Sequence, residues 1–376
     1  MSHNIKGTSE RRLLLIGPKP PPAHGTSVKF NIFCEVAKRQ LGFGFTDIVD
    51  TQTGDKALLS AYSISSLSGY TKIFFQTFIK GCWADVIVVF GSQRFATVFG
   101  GLTAIIFIPL GKRVHISLFG GAFDRYFEGL SIPIRRCIRI IFGICSGIIV
   151  ETRHLQSALS KVWPGKVYYV PNFRSTFFST VGSRDRNGDK VCFLYVGVIR
   201  REKGIGELLE AFSKLEMLAK NGELGTEVQL DLYGPVYNSP SDRVDLRPAG
   251  HSTAVNFHGE IPHEQVLRAY MEADVFVYPS YWPSEGHSGA VIEALMQGLP
   301  IIAADWRATR ELVQENFNGL LCPPNDPNAL AVCMERMARD VTLRDRLAEG
   351  ARQSMHEFDA ERACTKMLQI VLNSSP

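Results

Sequence analysis

Apolar residues along this chain fall into short unbroken runs, separated by longer segments in which they recur every three to four positions. In the first half the runs cover residues 11–17, 85–91, 113–119, 148–151 and 166–170, with a shorter one at 46–49. Continuous Val, Ile, Leu and Phe over so few residues is the pattern of strands buried on both faces of a parallel sheet. Segments 28–39, 72–80, 95–110, 132–147 and 152–162 between them carry a helical period, and the Ser- and Gly-rich residues 60–70 read as a loop. The second half repeats the scheme. Strands are expected at 191–197, 227–234, 255–259, 274–280 and 301–304, and helices at 205–220, 262–273, 288–298, 326–340, 342–356 and 360–372. Strand and helix alternating in this way predict an α/β chain of two doubly wound, Rossmann-like domains. The polar residues 179–189 read as the linker between residues 1–180 and 189–356, and residues 357–376 form a last helix.

A length of 376 residues is ample for two domains, each with its own core. The net charge of +4 hides an asymmetry. Residues 1–180 hold 21 Lys and Arg against 9 Asp and Glu, whereas residues 181–376 hold 20 against 28. Such a basic first half fits attraction to an anionic partner, such as a lipid diphosphate or the inner surface of the cytoplasmic membrane, and equally fits attraction between the two domains. No nucleic-acid-binding motif accompanies the charge, so no nucleic acid partner is expected. Segment 132–147 mixes Arg135, Arg136 and Arg139 with Ile138, Ile140, Ile141 and Phe142, which suits a peripheral membrane contact or a core helix with a basic edge. Segment 95–110, interrupted by Gly100, Gly101 and Pro109, is shorter than the roughly 20 residues a bilayer requires and reads as a core helix. The eight cysteines show no C-x-x-C pair and most sit in apolar contexts, as free thiols in a reducing compartment do. The first apolar run, residues 13–16, is too short for a signal-peptide core, so a cytoplasmic location is expected.

The most informative stretch is residues 285–305. A strand over 274–280 runs into a loop carrying Glu285, Gly286 and His287; Ser288 can cap the helix that follows at Gly289, and Gly298 before Pro300 ends it. The backbone N–H groups of residues 286–290 thus gather where an anion can be held, with Glu285 before the helix and Glu293 within it. Diphosphate on the helix N-terminus and sugar hydroxyls on the carboxylates would satisfy both. Read apart from its context, the pair could be a helix-start acid and a solvated acid, but Glu293 lies among Ile292, Ala294 and Leu295, so it should have a partner. Arg200, Arg201 and Lys203 crowd a short loop after the strand at 191–197, a place for cations that hold a diphosphate or for an ordinary charged surface. Another loop, residues 18–27, delivers Gly25 to a helix start and has no G-x-G-x-x-G, which argues against a nicotinamide cofactor.

Glu285 and Glu293, seven residues apart, together with the surrounding text of residues 257–259, 273–280 and 298–303, resemble the E-x7-E region of the family-4 retaining glycosyltransferases of the GT-B fold, specifically the bacterial surface polysaccharide and lipopolysaccharide type. The resemblance covers most of the chain and is strongest over residues 191–313. It implies two Rossmann-like domains facing across a cleft, an acceptor-binding first domain, a nucleotide-sugar-binding second domain, and a last helix returning to the first. Glu285 would contact the donor sugar and Glu293 the ribose; Lys203 would hold the diphosphate, with Arg200 standing in for an Arg that relatives carry where this chain has Val198. Ile261, in the segment 260–262, would line the base, and Gly25 with His24 would lie between donor and acceptor. Gly121 and Asp124 fall on the acceptor side, where relatives often carry a His and this chain has Phe119 and Gly120.

The activity so implied is transfer of a sugar, with retention, from a nucleotide diphosphate sugar to a glycan acceptor, lipid-linked, without metal or cofactor. Glu285, Lys203 and Arg200 would be the catalytic group. Rival readings are a nucleotide-sugar epimerase or a glycan phosphorylase of similar fold, and a non-catalytic scaffold that binds nucleotide sugar.

Overall fold

The computed structural model describes residues 11–21, 25–52, 64–175, 190–237, 244 and 252–373. Met1–Glu10, His24, the linker at 179–189 and most of the polar loop at 236–251 lie outside the described residues. Two compact units emerge: Met1–Ser175 with Asp359–Pro376, and Thr176–Phe358.

The first unit is built on six parallel strands, β1 (Leu13–Gly17), β2 (Thr46–Asp50), β3 (Val86–Gly91), β4 (Arg113–Leu118), β5 (Gly147–Val150) and β6 (Val167–Tyr169), in the order β2-β1-β3-β4-β5-β6. β1 sits between β2 and β3, with Leu13 opposite both Thr46 and Val86. Every residue of β1, β3, β4 and β5 is buried, which is why they read as unbroken apolar runs. Around the sheet lie α1 (Gly25–Leu41), α2 (Ile64–Trp83), α3 (Gln93–Phe95), α4 (Gly101–Phe107), α5 (Phe123–Glu128), α6 (Ile132–Ile144) and α7 (Arg153–Ser160). One layer packs Phe30 and Phe33 of α1 with Met367, Leu368 and Val371 of a helix from the chain's end; the other packs Phe107 of α4 and Phe142 of α6.

In the second unit the strands are β7 (Lys190–Val196), β8 (Glu227–Tyr233), β9 (Val255–Gly259), β10 (Val275–Tyr278), β11 (Ile301–Ala304) and β12 (Gly319–Cys322), ordered β12-β11-β10-β7-β8-β9. Counted from β7, this is the 3-2-1-4-5-6 order of a dinucleotide-binding sheet, whose order reverses between β7 and β10. Helices α8 (Ile205–Lys220), α9 (His263–Glu272), α10 (Gly289–Met296), α11 (Thr309–Leu312), α12 (Pro327–Arg339) and α13 (Val341–Ser354) complete this unit. The last helix, α14 (Ala360–Asn373), belongs to the first unit. It is tied there by Gln40, which donates to Glu361 and Thr365 at 2.7 Å each, and by Arg113, which donates to the Leu372 carbonyl at 2.9 Å.

Two local expectations need correction. Residues 64–70, expected as loop, are helical, because Ser and Gly each cost only about 0.5–1 kcal/mol in a helix interior, less than packing Ile73 and Thr77 on the sheet gains. The segment expected as one core helix over 95–110 is α3 and α4 joined by a π-helical turn, Ala96–Gly100; its inner side buries Ala96, Ala104 and Phe107, but Val98, Leu102 and Ile105 face outward. The short helix α5, after Gly120 and Gly121, had no helical period long enough to announce it.

Candidate functional site

The reversal of strand order between β7 and β10 opens a crevice at their carboxyl ends, where loops from both strands meet and ligands of open α/β sheets bind. From β7 the chain passes through Gly197 to a single 3-10 turn, Arg201–Lys203, and then Gly204 at φ +75° starts α8. A Cβ on Gly204 would lie 2.3 Å from the Pro279 carbonyl oxygen, so only glycine lets this turn press against the end of β10. That contact brings residues 203 and 285 together.

Lys203 Nζ donates to Glu285 Oε2 at 2.6 Å and to the Tyr278 hydroxyl at 3.1 Å, while Ser280 Oγ donates to the same carboxylate oxygen at 2.6 Å. The lysine side chain is 17% exposed and the glutamate 10%. Burial pulls the ammonium pKa down, but the Glu285 carboxylate, with Tyr278 and Tyr195, outweighs it and holds Lys203 protonated well above the usual lysine range. Burial, then the Glu285 charge, pushes the Tyr278 phenol up, and burial does the same for Tyr195, whose hydroxyl donates to the Val198 carbonyl at 3.0 Å. Both phenols therefore stay neutral donors at physiological pH. An ammonium has three N–H bonds. Two of those on Lys203 are directed to Glu285 and Tyr278.

Arg200 stands beside this cluster. Its guanidinium stacks 3.9 Å from the Trp282 ring centre and 4.9 Å from that of Tyr237, and it pairs with Glu202 at 3.0 Å. Stacking on two rings fixes the plane of the guanidinium, and its five N–H groups give it a fork suited to phosphate oxygens. Trp282 is itself anchored by the Trp306 indole, which donates to its carbonyl at 2.9 Å.

Ser288 occupies the N-cap of α10 without a capping hydrogen bond from its side chain, which corrects the expected role. Its hydroxyl bonds instead with Tyr278. The first N–H groups of α10 accordingly keep their dipole for an anion rather than for Ser288. Gly289, Glu293 and Gln297 succeed one another at one-turn spacing on the incompletely buried side of α10, so Glu293 is half-buried on the stripe that begins at the helix N-terminus. Gly286 is buried in the loop. The His287 ring is buried and turned inward: Nε2 meets Glu311 Oε2 at 3.0 Å, and the ring stands edge-on to Phe358 at 6.0 Å. Its imidazole is therefore committed to the scaffold, leaving its backbone as the part that can face a ligand. Ile261, just past β9, is half-buried against the core of the second unit.

Sequence reasoning assigned no role to Tyr195, Tyr278, Ser280 or Trp282, the residues that orient Lys203, Glu285 and Arg200. The signal available was an aromatic residue at each strand end, which reads first as core.

In the first unit, Gly25 opens α1, 3.8 Å in Cβ position from Arg174 Nη2. Gly121 is buried, and Asp124, on α5, meets His154 Nε2 of α7 at 3.0 Å. A more deeply buried pair went unread. Lys29 Nζ meets Glu151 Oε1 at 2.8 Å with both residues buried, and Glu151 Oε2 accepts from the Gly120 N–H at 3.2 Å. Lys29 falls on the stripe 29, 33, 36 that buries α1, a position at which a cation calls for a carboxylate partner. Among the described residues no group of three His, Cys, Asp or Glu side chains is arranged to hold a metal ion.

Residues 180–354, nearly the whole of the second unit, match the family described as glycosyl transferases group 1. The chain as a whole has the GT-B fold. It is similar to Anabaena HepE, solved in complex with UDP and glucose, at a TM-score of 0.72 and 16% identity, covering 96% of this chain and 99% of that one. It is likewise similar to the lipopolysaccharide outer core galactosyltransferase WaaB in its apo form, at a TM-score of 0.67 and 15% identity, covering 97% and 100%. Among curated proteins, the putative teichuronic acid biosynthesis glycosyltransferase TuaC of Bacillus subtilis is 27% identical over 277 residues, or 71% of this chain. The match spans 66% of that relative's length.

Proposed function

We propose that this chain is a retaining glycosyltransferase that moves a sugar from a nucleotide diphosphate sugar to a glycan acceptor in bacterial surface polysaccharide or lipopolysaccharide synthesis. The observation that carries this reading is the meeting of Lys203, Glu285 and the N-terminus of α10 at the point where the second sheet reverses its strand order. A diphosphate seated there would take the N–H groups of α10, the third N–H of Lys203 and the fork of Arg200, and these donors would stabilise the charge that develops on the departing diphosphate. No metal is needed in this scheme. Lys203 also fixes Glu285, so the carboxylate is already oriented for the hydroxyls of the donor sugar, while Glu293, one turn along α10, suits the ribose. Retention rests on the resemblance of the Glu285–Glu293 spacing to the retaining family.

The first unit is proposed to hold the acceptor, with Gly121 and Asp124 on its side and Gly25 toward the donor, and the acceptor is proposed to be lipid-linked and met at the inner face of the cytoplasmic membrane. Support comes from the basic first half of the chain and from the similarity to TuaC, named for teichuronic acid biosynthesis, and WaaB, named for the lipopolysaccharide outer core. A thermal-shift screen of UDP-, GDP- and ADP-sugars tests the donor site, since a ligand that binds only the folded state raises its melting temperature. Product formation with the stabilising sugar, abolished by Glu285→Ala and by Lys203→Ala, supports the enzyme. Binding without turnover for every acceptor makes the chain a scaffold, and conversion of the donor without any acceptor makes it an epimerase.

A further inference from the structure

Large apolar side chains are exposed in the second unit one or two to an element, but in the first unit they crowd onto α2, the α3–α4 segment and α6. Val98 is 71%, Ile140 68% and Phe75 65% exposed. These helices are neighbours on one face of the sheet: Phe78 of α2 lies 6.3 Å from Phe107 of α4, and a Cβ on Gly101 of α4 would lie 3.7 Å from Ile141 of α6. Residues 64–83, 93–107 and 132–144 include Lys72, Lys80, Arg94, Arg135, Arg136 and Arg139 and not a single Asp or Glu; Lys80 is turned to Asp47 of β2 at 2.9 Å, so the cations of the face are the other five. A face that is both apolar and cationic, without one carboxylate of its own, is an uncommon surface for water. Between α2 and the π-helical turn a groove of about 670 Å³ is lined by Tyr70, Phe74, Phe75, Phe99 and Leu102, with Lys72 beside them.

We infer that this three-helix face docks on an anionic lipid bilayer, with the arginines of α6 and Lys72 at the headgroups and one acyl chain seated in the groove. Charge complementarity selects this occupant. A second copy meeting the face about a two-fold axis would set these cations against their own copies with no acid from the same helices to pair them, whereas anionic headgroups neutralise every one. The helices lie on the membrane rather than enter it, because their inner sides are committed to the sheet through Ile73, Ala104, Phe107, Ile138 and Phe142. No described helix is long and apolar enough to cross a bilayer. Placement also fits. α2 follows the carboxyl end of β2 and α3 that of β3, and the groove residues lie in the early and middle turns of both helical segments, nearer the sheet edge where α/β proteins bind substrates.

This inference names the surface for the membrane contact proposed above and rests on that reading only for the direction from which an acceptor arrives. Flotation with vesicles, in the absence of donor and acceptor, tests it apart from catalysis. The full chain should float with phosphatidylcholine–phosphatidylglycerol vesicles and stay behind with phosphatidylcholine alone. The triple variant Arg135→Gln, Arg136→Gln, Arg139→Gln should bind the anionic vesicles on the order of a hundredfold more weakly, from about a kcal/mol per cation. Phe75→Ser with Ile140→Ser should abolish the part of the binding that survives high salt. Four of these side chains are exposed, and the half-buried Arg135 gives only a long 3.4 Å hydrogen bond to the Glu128 carbonyl, so melting temperatures should change little and the donor-induced thermal shift not at all. A chain that floats with neither vesicle, or a triple variant that floats like the parent, overturns the inference. So does a concentration-dependent dimer that Phe75→Ser dissolves, which would give the face to a second copy instead.

Discussion

Replacing either member of the Lys203–Glu285 pair should unfold more than it appears to touch. Glu285→Gln keeps the shape but leaves the Lys203 ammonium largely buried without a countercharge; Lys203→Met leaves a carboxylate that keeps the Ser280 hydroxyl but loses its cation. Breaking a buried pair from one side costs about 3–5 kcal/mol. The residual exposure of this pair puts each single variant near the lower end, about 3 kcal/mol. In the double variant neither charge is stranded, so the loss should fall well short of the sum, with a coupling of about 2 kcal/mol. For a unit of this size each single change corresponds to roughly 6–12 °C in melting temperature. Urea unfolding of the four proteins, followed by tryptophan fluorescence, gives the cycle directly. Because the Lys203 pKa is raised in the folded state, its contribution is complete below the unfolded lysine value of about 10.4 and is lost only as pH climbs through the higher folded value. The coupling should therefore be the same at pH 7 and pH 9. Single losses under about 1 kcal/mol that simply add in the double variant would falsify the view that the two charges hold each other in place.

Three further outcomes are expected. Gly204→Ala should cost about 1–3 kcal/mol from its left-handed backbone alone, and more from the contact with Pro279, and should abolish the thermal shift by a nucleotide sugar; Gly206→Ala, two residues on in α8 with open space around its Cβ, should instead stabilise by about 0.5–1 kcal/mol. His115, fully buried on β4, has its pKa driven down by burial to about 3, so the unfolded chain takes up a proton that the folded one excludes. Stability present above the unfolded value of about 6.5 is then lost as pH falls, about 2 kcal/mol by pH 5, and urea titrations at pH 7 and pH 5 should show that share vanish in His115→Phe. Arg200→Lys should keep the charge but lose the double stack on Trp282 and Tyr237, weakening nucleotide-sugar binding while moving stability by about 1 kcal/mol or less; unchanged affinity would remove Arg200 from the site.

Much of the fold was legible because buried parallel strands announce themselves. β3, β10 and β11 are continuous apolar runs, and β11 falls on the residues its run marks. Helix ends were less legible where packing overrode composition, as in the Ser- and Gly-rich start of α2. In the candidate site the charged residues could be picked out by loop position and motif, but not their pairing. Lys203 and Glu285 are 82 positions apart in the chain, and only the strand order places β7 next to β10. Nothing in residues 200–204 alone tells a phosphate-holding loop from a charged turn.

The strand order does more than bring the two residues near. Parallel strands end on the same edge of the sheet, so adjacent strands β7 and β10 necessarily release their loops side by side, and the reversal of winding sends the helices that follow to opposite faces, leaving a gap between. Gly204 lets the first loop close that gap until Lys203 reaches the end of β10, and Pro279 supplies the wall it closes against. Ser280 and Tyr278, on opposite sides of that proline in the chain, then hold Glu285 and Lys203 respectively. Since the N-terminus of α10 follows within four residues of Glu285, cation, carboxylate and helix dipole come to a single place by chain geometry. A change at Gly204 should accordingly disturb all three at once, whereas a change at Glu293, farther along the helix, should weaken only the grip on the donor.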